Sequence, residues 1–346
     1  MMRRLSDRRR ELLLTSLGLV IFVLYLAYSN PFRILFEIGR LDVKAFAVAV
    51  LINYAGLFFF ASSWWLLLRA LRVGVSLWEA VRATFVSLFV VWMIPIPVGT
   101  EIIRAYLVRK ERNSDVGKAV SSVLVHKAYY NIAFGAMIGA AAVMVTVFRG
   151  GTIPVRPELV WFVVLFAVVS SVLFGAILSP SLLRWVYERS PGWLRRRFFD
   201  RISDNSVGKD GFPQVIDEID SAIRTLRSHP VSNFLSLLMV AFHWTTGALT
   251  AYIVALSLGV AVDFWVVVLI YAVVEFIQQL NILIPSGLGI VDAGLTGAFV
   301  LAGVPLSVAS AISLLTRLAT YWFELVLCAA VSFRYGYRES LKEYLG

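Results

Sequence analysis

The stretch that decides the fold is residues 282–303, which read ILIPSGLGIVDAGLTGAFVLAG within a long apolar region. It does not suit an ordinary membrane helix, because Pro285 lacks a backbone donor and Gly287 and Gly289 destabilise a helix. Asp292 adds a carboxylate whose burial in a bilayer is unfavourable. The stretch predicts a helix that breaks at Pro285 and restarts after the glycines. Since broken backbone in a membrane needs protein or water around it, the stretch also predicts a cavity.

A second stretch, residues 94–107, has the same form and reads IPIPVGTEIIRAYL. Two interrupted segments in corresponding halves of a membrane protein predict a transporter-type site between two repeats. Two unrelated proline and glycine kinks are the alternative explanation. An alignment on the first proline pairs Pro95 with Pro285 and Gly99 with Gly289, and it leaves Glu101 and Asp292 one position out of register.

The composition indicates a polytopic helical membrane protein. The chain has 346 residues, of which 59% are hydrophobic, and its mean hydropathy is +0.80. A soluble protein of this size is less apolar. The single cysteine, Cys328, excludes a disulfide framework, and neither a metal nor a cofactor is expected. The net charge of +10 indicates cytoplasmic loops that face anionic lipid rather than a nucleic-acid partner.

The distribution of basic residues predicts which side of the membrane each loop faces. The first eleven residues contain five arginines, and residues 181–230 contain nine lysines and arginines. The positive-inside rule places both segments in the cytoplasm. Both can be cytoplasmic only if residues 77–110 enter and leave the membrane on the same side, as a re-entrant hairpin. The second interrupted stretch then belongs to a hairpin at 264–303 that enters from the opposite side.

We therefore predict an all-α polytopic membrane protein with about six spanning helices and two re-entrant helical hairpins. The hairpins belong to two repeats of inverted topology, residues 45–148 and 231–333, within one membrane domain that covers residues 1–346. Such repeats place their shared site near the middle of the membrane. Both termini are expected in the cytoplasm, and the expected location is the plasma membrane. The sequence predicts no oligomeric state.

Three segments outside the repeats also carry predictions. Residues 12–29 predict a first span that acts as an anchor, followed by a loop at 30–44. Within the basic loop, residues 182–199 mix tryptophan and phenylalanine with arginine, which predicts an amphipathic helix on anionic headgroups. Residues 215–227 predict a short helix outside the membrane. Membrane lipid is the expected partner, and nucleic acid is not.

The chemistry is expected where each hairpin restarts, because a helix N-terminus offers free N–H groups and a positive dipole end to an anion. Two such ends that face one cavity would suit a phosphate headgroup, and basic side chains would add charge to it. Ionisable residues inside a membrane are functional candidates by default. The candidate substrate-binding residues are Pro95, Gly99, Glu101, Arg104, His126, Lys127, Glu275, Gln279, Pro285, Gly287, Gly289, Asp292 and Arg317.

Structural roles remain open for some of these polar residues. Glu101 and Asp292 could be dipole partners of their own helices. For His243, an interhelical hydrogen bond is the favoured role. Lys127 could pair with Glu275. Arg317 is favoured as functional, and we expect both Arg104→Ala and Arg317→Ala to lose transport in a protein that still folds.

No motif of a known enzyme class is found in the sequence. It contains no P-loop, no HExxH and no GxSxG, so neither an ATP-driven pump nor an enzyme is expected. Any driving force would be an ion gradient or the lipid gradient itself.

The two interrupted stretches and the LLTR at residues 314–317 resemble a known family of flippase-like integral membrane proteins. The motifs are PIPVGTEIIRAYLVRK at 95–110 and PSGLGIVDAG at 285–294. The family is typified by the membrane domain of lysylphosphatidylglycerol synthase and includes archaeal membrane proteins linked to glycosylation. The resemblance covers roughly the whole chain. It implies translocation of a lipid-linked substrate, such as an aminoacylated phospholipid or a polyprenyl-phosphate-linked sugar.

Some family positions carry over and others depart from the pattern. Pro95, Gly99, Glu101 and Arg104 match the first motif, and Pro285, Gly287, Gly289 and Arg317 match the second. Asp292 stands where the family often has Glu, and His126-Lys127 stand where it often has Glu-Arg, so the resemblance does not imply a particular headgroup. The sequence has no counterpart of the soluble aminoacyl-transferase domain, so synthesis of the lipid is not expected.

Four functions are compatible with these features. The first is a lipid flippase or scramblase for an anionic lipid or a polyprenyl-phosphate-linked substrate. The second is an ion-coupled transporter of a small anion. The third is an intramembrane enzyme that acts on polyprenyl phosphate with Glu101 or Asp292 as base. The fourth is a structural partner in a glycosylation or envelope complex.

Overall fold

The structure is a computed structural model that describes residues 2–93, 99–112, 116–147, 179–194, 211–280 and 287–334, with a few positions between 161 and 172. These residues form helices joined by short turns, with no strand among them, so the all-α prediction is confirmed for this part of the chain. The helices are α1 Met2–Ser29, α2 Pro31–Ile38, α3 Val43–Ala70, α4 Leu77–Met93, α5 Gly99–Arg112, α6 Val116–Val147, α7 Pro180–Arg189, α8 Gly211–Arg227, α9 Pro230–Ser257, α10 Phe264–Leu280, α11 Ile290–Leu301, α12 Leu306–Arg317 and α13 Phe323–Arg334. A π-helical segment, Leu318–Trp322, joins α12 to α13, and a single turn lies at Gly192–Leu194.

Four of the described helices are long and apolar enough to cross a membrane. They are α3, α6, α9 and the continuous helix Leu306–Arg334, which contains α12, the π-helical segment and α13. A fifth span results if α1 and α2, which bend by 76° at their junction, are counted together. The protein is therefore multi-pass. The apolar sequence at residues 158–178 predicts one more span, and it lies mostly outside the described residues.

The prediction of a loop at residues 30–44 is wrong, because α2 occupies most of it. Asn30 interrupts the helix with a φ of 60° and accepts a hydrogen bond from the Arg33 backbone N–H at 3.3 Å. Pro31 takes the first position of α2, where its missing N–H has no intrahelical partner to lose. Pro31 therefore starts a second helix directly after the first.

An antiparallel pair, α3 and α9, forms the centre of the molecule. Hydrogen bonds between these helices recur every seven residues, so one side of each helix faces the other along its whole length. Serine, threonine and histidine side chains of α9 donate three of them to carbonyl groups of α3, which is how polar residues join helices in lipid. The four bonds are Asp42 N to Ser257 O at 2.8 Å, Thr250 Oγ1 to Ala49 O at 3.3 Å, His243 Nδ1 to Gly56 O at 3.1 Å and Ser236 Oγ to Ser63 O at 3.0 Å.

The helices that follow α3 and those that follow α9 have closely similar lengths. Helices α3 to α6 contain 28, 17, 14 and 32 residues. Helices α9, α10 and α11 contain 28, 17 and 12 residues, and the continuous helix after them contains 29. In both series, a long helix is followed by two short helices and a second long helix.

The helix predicted at residues 215–227 is confirmed, and it begins earlier, at Gly211. One face of α8 buries Val215, Ile216, Ile219 and Ile223 against the start of α6 and the side of α7. The Glu218 carboxylate accepts a hydrogen bond from the Gly117 N–H at 2.7 Å. The basic segment is thus attached to the membrane helices by packing as well as by charge.

The amphipathic helix predicted at 182–199 is found in part, as α7, which ends at Arg189. The Trp185 side chain is exposed, and the Arg189 guanidinium lies 4.7 Å from the centre of its ring. Residues 195–199 lie outside the described residues.

Candidate functional site

A cavity of about 180 Å³ lies between the two helix series. Its wall combines five charged side chains with two histidines, six other aromatic residues and several polar groups. The lining residues are Asn53, Leu57, Phe60, Leu88, Trp92, Thr100, Glu101, His126, Lys127, Tyr130, His243, Trp244, Gly247, Tyr271, Glu275, Arg317, Thr320, Tyr321 and Glu324. Charged groups at this depth in an apolar protein are the feature that the sequence predicted to mark a site.

Five of the thirteen predicted site residues meet at this cavity. Glu101, His126, Lys127, Glu275 and Arg317 line it directly. A second set lies just behind the wall or at the helix break: Arg104 and Asp292 contact lining residues, Gly99 begins α5, and Gly287 and Gly289 precede α11. Pro95, Pro285 and the side chain of Gln279 lie outside the described residues.

The first ion pair joins Lys127 of α6 to Glu101 in the first turn of α5. The distance from Lys127 Nζ to Glu101 Oε1 is 3.4 Å, and the ammonium also lies 4.8 Å from the centre of the Tyr130 ring. The lysine side chain is 23% exposed and the glutamate 9% exposed. Lys127 therefore pairs with Glu101, whereas the sequence suggested Glu275 as its partner.

The second ion pair joins Arg317 to Asp292, in the first turn of α11. Arg317 Nε lies 3.5 Å from Asp292 Oδ1, and the side chains are only 6% and 3% exposed. The other carboxylate oxygen of Asp292 accepts the Gly289 N–H at 3.0 Å and so caps the helix. The Arg317 guanidinium lies 4.6 Å from the centre of the Tyr321 ring. Asp292 thus has the capping role considered from the sequence and an ion pair as well.

The cations of the two pairs occupy equivalent positions in the sequence, and the carboxylates are one position out of register. The offset of 190 residues that aligns Pro95 with Pro285 also aligns Lys127 with Arg317. Each cation comes from the long helix that follows the interrupted stretch, and each carboxylate comes from the first turn after the interruption. The alignment of Lys127 with Arg317 was detectable in the sequence. It indicates a related site in the two halves only because the structure shows each cation in contact with a carboxylate.

Gly289 allows α1 to pack closely against the helix break. Its φ is 79°, in the left-handed region, and a Cβ built there would lie 2.6 Å from the backbone nitrogen of Phe22. Tyr25, one turn further along α1, hydrogen-bonds Thr296 of α11 at 2.9 Å. The first helix is therefore a support for the second interrupted stretch.

Arg104 lies behind the cavity wall and not in it. Its side chain is fully buried, with the guanidinium 5.2 Å from the Phe60 ring centre and 4.9 Å from that of Trp64. The Nη1 group donates to His126 Nδ1 at 3.3 Å. Stacked aromatic rings stabilise a buried guanidinium without a carboxylate in direct contact. The phosphate contact predicted for Arg104 would therefore need His126 or a ring to move.

His126 is held in one tautomer by its neighbours. Since an arginine N–H can only donate, His126 Nδ1 is the acceptor, and the Nε2 of the neutral ring carries the proton. Nε2 lies 2.6 Å from Ser63 Oγ, and Ser63 in turn donates to the Phe60 carbonyl at 2.7 Å. This chain of hydrogen bonds fixes the ring that separates Arg104 from the cavity.

Two further carboxyl groups face the cavity with neutral partners. Glu275 is hydrogen-bonded to the Tyr271 hydroxyl, and Tyr271 packs where Gly247 has no side chain. Glu324 accepts a hydrogen bond from the Asn53 side-chain amide. His243 donates to the Gly56 carbonyl, as favoured from the sequence.

Sequence reasoning missed Asn53 and Tyr271 as parts of the site. A polar amide in the middle of an apolar span was the available signal for Asn53. Tyr271 gave none, because tyrosine is common in membrane helices and its partner Glu275 is on the same helix.

Comparison with known families finds one family model that matches nearly the whole chain, including the residues of this site. A model of the family described as the transmembrane region of lysylphosphatidylglycerol synthase matches residues 15–328. The chain belongs to this family. Both ion pairs and every residue that lines the cavity fall within the matched region. Membership of the lysylphosphatidylglycerol synthase transmembrane family is consistent with a lipid-related role in a membrane.

Curated relatives of similar length come from archaea. The chain is 23% identical to a UPF0104 membrane protein of Methanothermobacter thermautotrophicus over 94% of both chains. It is 19% identical to the UPF0104 membrane protein PH1989 of Pyrococcus horikoshii, over 92% of this chain and 95% of that one. The resemblance stated from the motifs is thus confirmed at the level of the family.

Proposed function

We propose that this protein translocates an anionic lipid, either a phospholipid or a polyprenyl-phosphate-linked substrate, across the membrane without chemical conversion. The headgroup would enter the cavity while the tails remain in the bilayer. The observation that carries the proposal is the pair of equivalent cations, Lys127 and Arg317, at one cavity among membrane helices. The family is described by a lipid-synthase membrane region, which supports a lipid as the substrate.

The lengths of the short helices support re-entrant hairpins. At 1.5 Å per residue, α4 and α10 are each about 25 Å long, α5 about 21 Å and α11 about 18 Å. The hydrocarbon core of a bilayer is about 30 Å thick, so none of these helices spans it comfortably. We infer that α4 with α5, and α10 with α11, enter and leave the membrane on one side.

The packing of α3 against α9 supports inverted repeats. If the two series of helices are equivalent, then α3 and α9 are equivalent members, and they run antiparallel. Repeats whose equivalent helices are antiparallel have opposite orientations in the membrane, as in many transporters. The cytoplasmic position of both termini and a location in the plasma membrane belong to the same proposal.

Lys127 is the group best placed to meet a headgroup phosphate. Its side chain is the more exposed of the two cations, and its carboxylate partner sits at the rim of the same cavity. A phosphate that replaces Glu101 at Lys127 would also approach the N-terminal N–H groups of α5, which attract anions. Exchange of one anion for another avoids leaving the ammonium unpaired in a medium of low dielectric constant.

The experiment is a reconstitution of the purified protein in liposomes that contain a fluorescent phosphatidylglycerol or a fluorescent short-chain polyprenyl phosphate. A membrane-impermeant reductant destroys the fluorescence of the outer leaflet, and translocation appears as loss of the protected half. Lys127→Gln is compared with Lys44→Gln, which alters an exposed lysine at the start of α3. If the inner-leaflet fluorescence of both lipids stays protected from the reductant in liposomes that contain the wild-type protein, the proposal is contradicted.

A small anion is the second candidate, because a cavity of about 180 Å³ holds an inorganic anion as readily as a headgroup. The same liposomes distinguish the two functions. Uptake of radiolabelled phosphate or sulfate, with every lipid protected, would favour anion transport over lipid translocation.

A further inference from the structure

The ionisable groups around the cavity do not balance one another. Three cations lie at or just behind the wall of the cavity: Arg104, Lys127 and Arg317. The described carboxyl groups number four: Glu101, Asp292, Glu275 and Glu324. Among the described side chains, Glu275 and Glu324 form no ion pair, whereas Glu101 and Asp292 each form one. An unpaired carboxylate is disfavoured inside a membrane, where the neutral acid is the more stable form.

Glu275 and Glu324 are close enough to influence each other. Both line the cavity, and the charge of Glu275 acts on Glu324. Two carboxyl groups that share an apolar site do not ionise independently, and one proton is commonly held between them.

The groups that face this pair come from every helix around it. On the side of Glu324 they are Asn53 and Tyr54 of α3 and Cys328 on its own helix. Tyr130 of α6 and Tyr271 of α10 face both glutamates, and Leu88 and Trp92 of α4 complete the wall. On the side of Glu275 they are Lys127 of α6, Glu101 of α5, His243 of α9 and Arg317 of α12. Lys127 and Arg317 act on Glu275 from a distance, but their ion pairs are with Glu101 and Asp292, so a proton is a further source of charge compensation for Glu275 and Glu324.

We propose that Glu275 and Glu324 form a proton-binding site, and that a proton enters the cavity with each anionic headgroup. This inference rests on the translocation proposed above. When both glutamates are ionised, an incoming phosphate meets an excess of negative charge. A proton on either glutamate reduces that repulsion, so anion and proton favour each other's binding.

The surroundings of Glu324 favour a proton over a sodium ion. The Asn53 amide nitrogen donates both to Glu324 and to the Ala319 carbonyl at 3.2 Å, so its orientation is fixed by two acceptors. A hydrogen-bond donor directed at a carboxyl oxygen suits an acid that gains and loses a proton, whereas a metal ion needs oxygen atoms in that place. Ala319 lies in the π-helical segment, an irregularity that is frequent at functional sites.

The first part of the test measures lipid translocation in liposomes between pH 5.5 and 8.5, with fluorescent phosphatidylglycerol as the probe. The variants are Glu275→Gln, Glu324→Gln and the double variant, and Asp217→Asn on the exposed face of α8 is the control. If one proton is taken up with the anion, the apparent affinity for the anion should fall about tenfold for each pH unit above the pKa of the site. We expect this dependence in the wild type and the control and its loss in the double variant. Translocation with the same pH profile in the double variant would overturn the proton site and leave translocation intact.

The second part is independent of transport. Infrared spectra of the wild-type protein in liposomes, recorded across the same pH range, report protonated carboxyl groups directly by their C=O stretch. A protonated band that persists at neutral pH and is lost in the double variant supports the site, even if no lipid is translocated. Absence of that band from the wild type at neutral pH overturns the proposal, and this measurement does not depend on whether the variants fold.

Discussion

The two ion pairs, Glu101–Lys127 and Asp292–Arg317, have cations at aligned sequence positions, carboxylates one position out of register, and nearly the same length, 3.4 and 3.5 Å. They differ in what surrounds them. Asp292 also caps α11, and both members of its pair are buried, whereas Lys127 is 23% exposed toward the cavity. Cations at aligned positions thus have different surroundings, from which we infer different tasks: the second pair would hold the start of α11 in place, and the first would be the one that meets a ligand.

Removal of the carboxylate separates these tasks most strongly. Asp292→Ala should lower the free energy of unfolding by about 3–5 kcal/mol, because it leaves a buried guanidinium without its carboxylate and α11 without its cap. Glu101→Ala should lower it by only about 1 kcal/mol, because Lys127 is partly exposed at the cavity and keeps its contact with the Tyr130 ring. Equilibrium unfolding in SDS measures both values. Equal losses in the two variants would show that the exposure difference has no energetic meaning.

Removal of the exposed cation tests the other half of the comparison. Lys127→Gln should slow lipid translocation at least about tenfold, which corresponds to about 1.4 kcal/mol in the barrier. Its unfolding free energy should stay within about 1 kcal/mol of the wild type, because the amide can still hydrogen-bond Glu101. Lys44→Gln is the matched control and should behave as the wild type. A normal rate for Lys127→Gln would remove this lysine from the proposed path.

The helix break itself can be tested at its second glycine. Gly289→Ala should destabilise the protein by about 2–3 kcal/mol, because it combines a left-handed φ with a collision against the backbone of α1. Gly259→Ala isolates the conformational part, since Gly259 has a φ of 74° and open space around its Cβ position. That control should lose about 1 kcal/mol. If Gly289→Ala and Gly259→Ala lower the free energy of unfolding by the same amount, close packing of α1 contributes nothing to stability at Gly289.

The membrane class, the interrupted helices and much of the site could be predicted from the sequence. Proline and glycine within an apolar run are locally decisive, and an ionised side chain there is rare enough to indicate a site. These local signals identify Glu101, Lys127, Glu275 and Arg317 from the amino-acid sequence alone. The inverted repeat and its two hairpins stay predictions that the lengths of the short helices support.

What could not be predicted depends on distant partners. Lys127 had two acids within plausible reach, and only the packing of α5 against α6 selects Glu101. Arg104 looked like a cavity cation, but the rings of Phe60 and Trp64 and the imidazole of His126 separate it from the cavity. The helix at Pro31 was missed because a proline ends one helix and begins another with equal ease.

The smallest expected effect comes from exchanging the two kinds of cation. Arg317→Lys should cost about 1 kcal/mol in unfolding free energy, because lysine loses the planar contact with Tyr321 and the geometry that suits Asp292. Lys127→Arg should leave the unfolding free energy nearly unchanged, because its partly exposed position tolerates a larger head near Tyr130. Equilibrium unfolding in SDS measures the free energy of unfolding of each single variant and of the double variant that carries both substitutions. A greater loss for Lys127→Arg would reverse the assignment, and the first pair would then be the one whose geometry the fold requires.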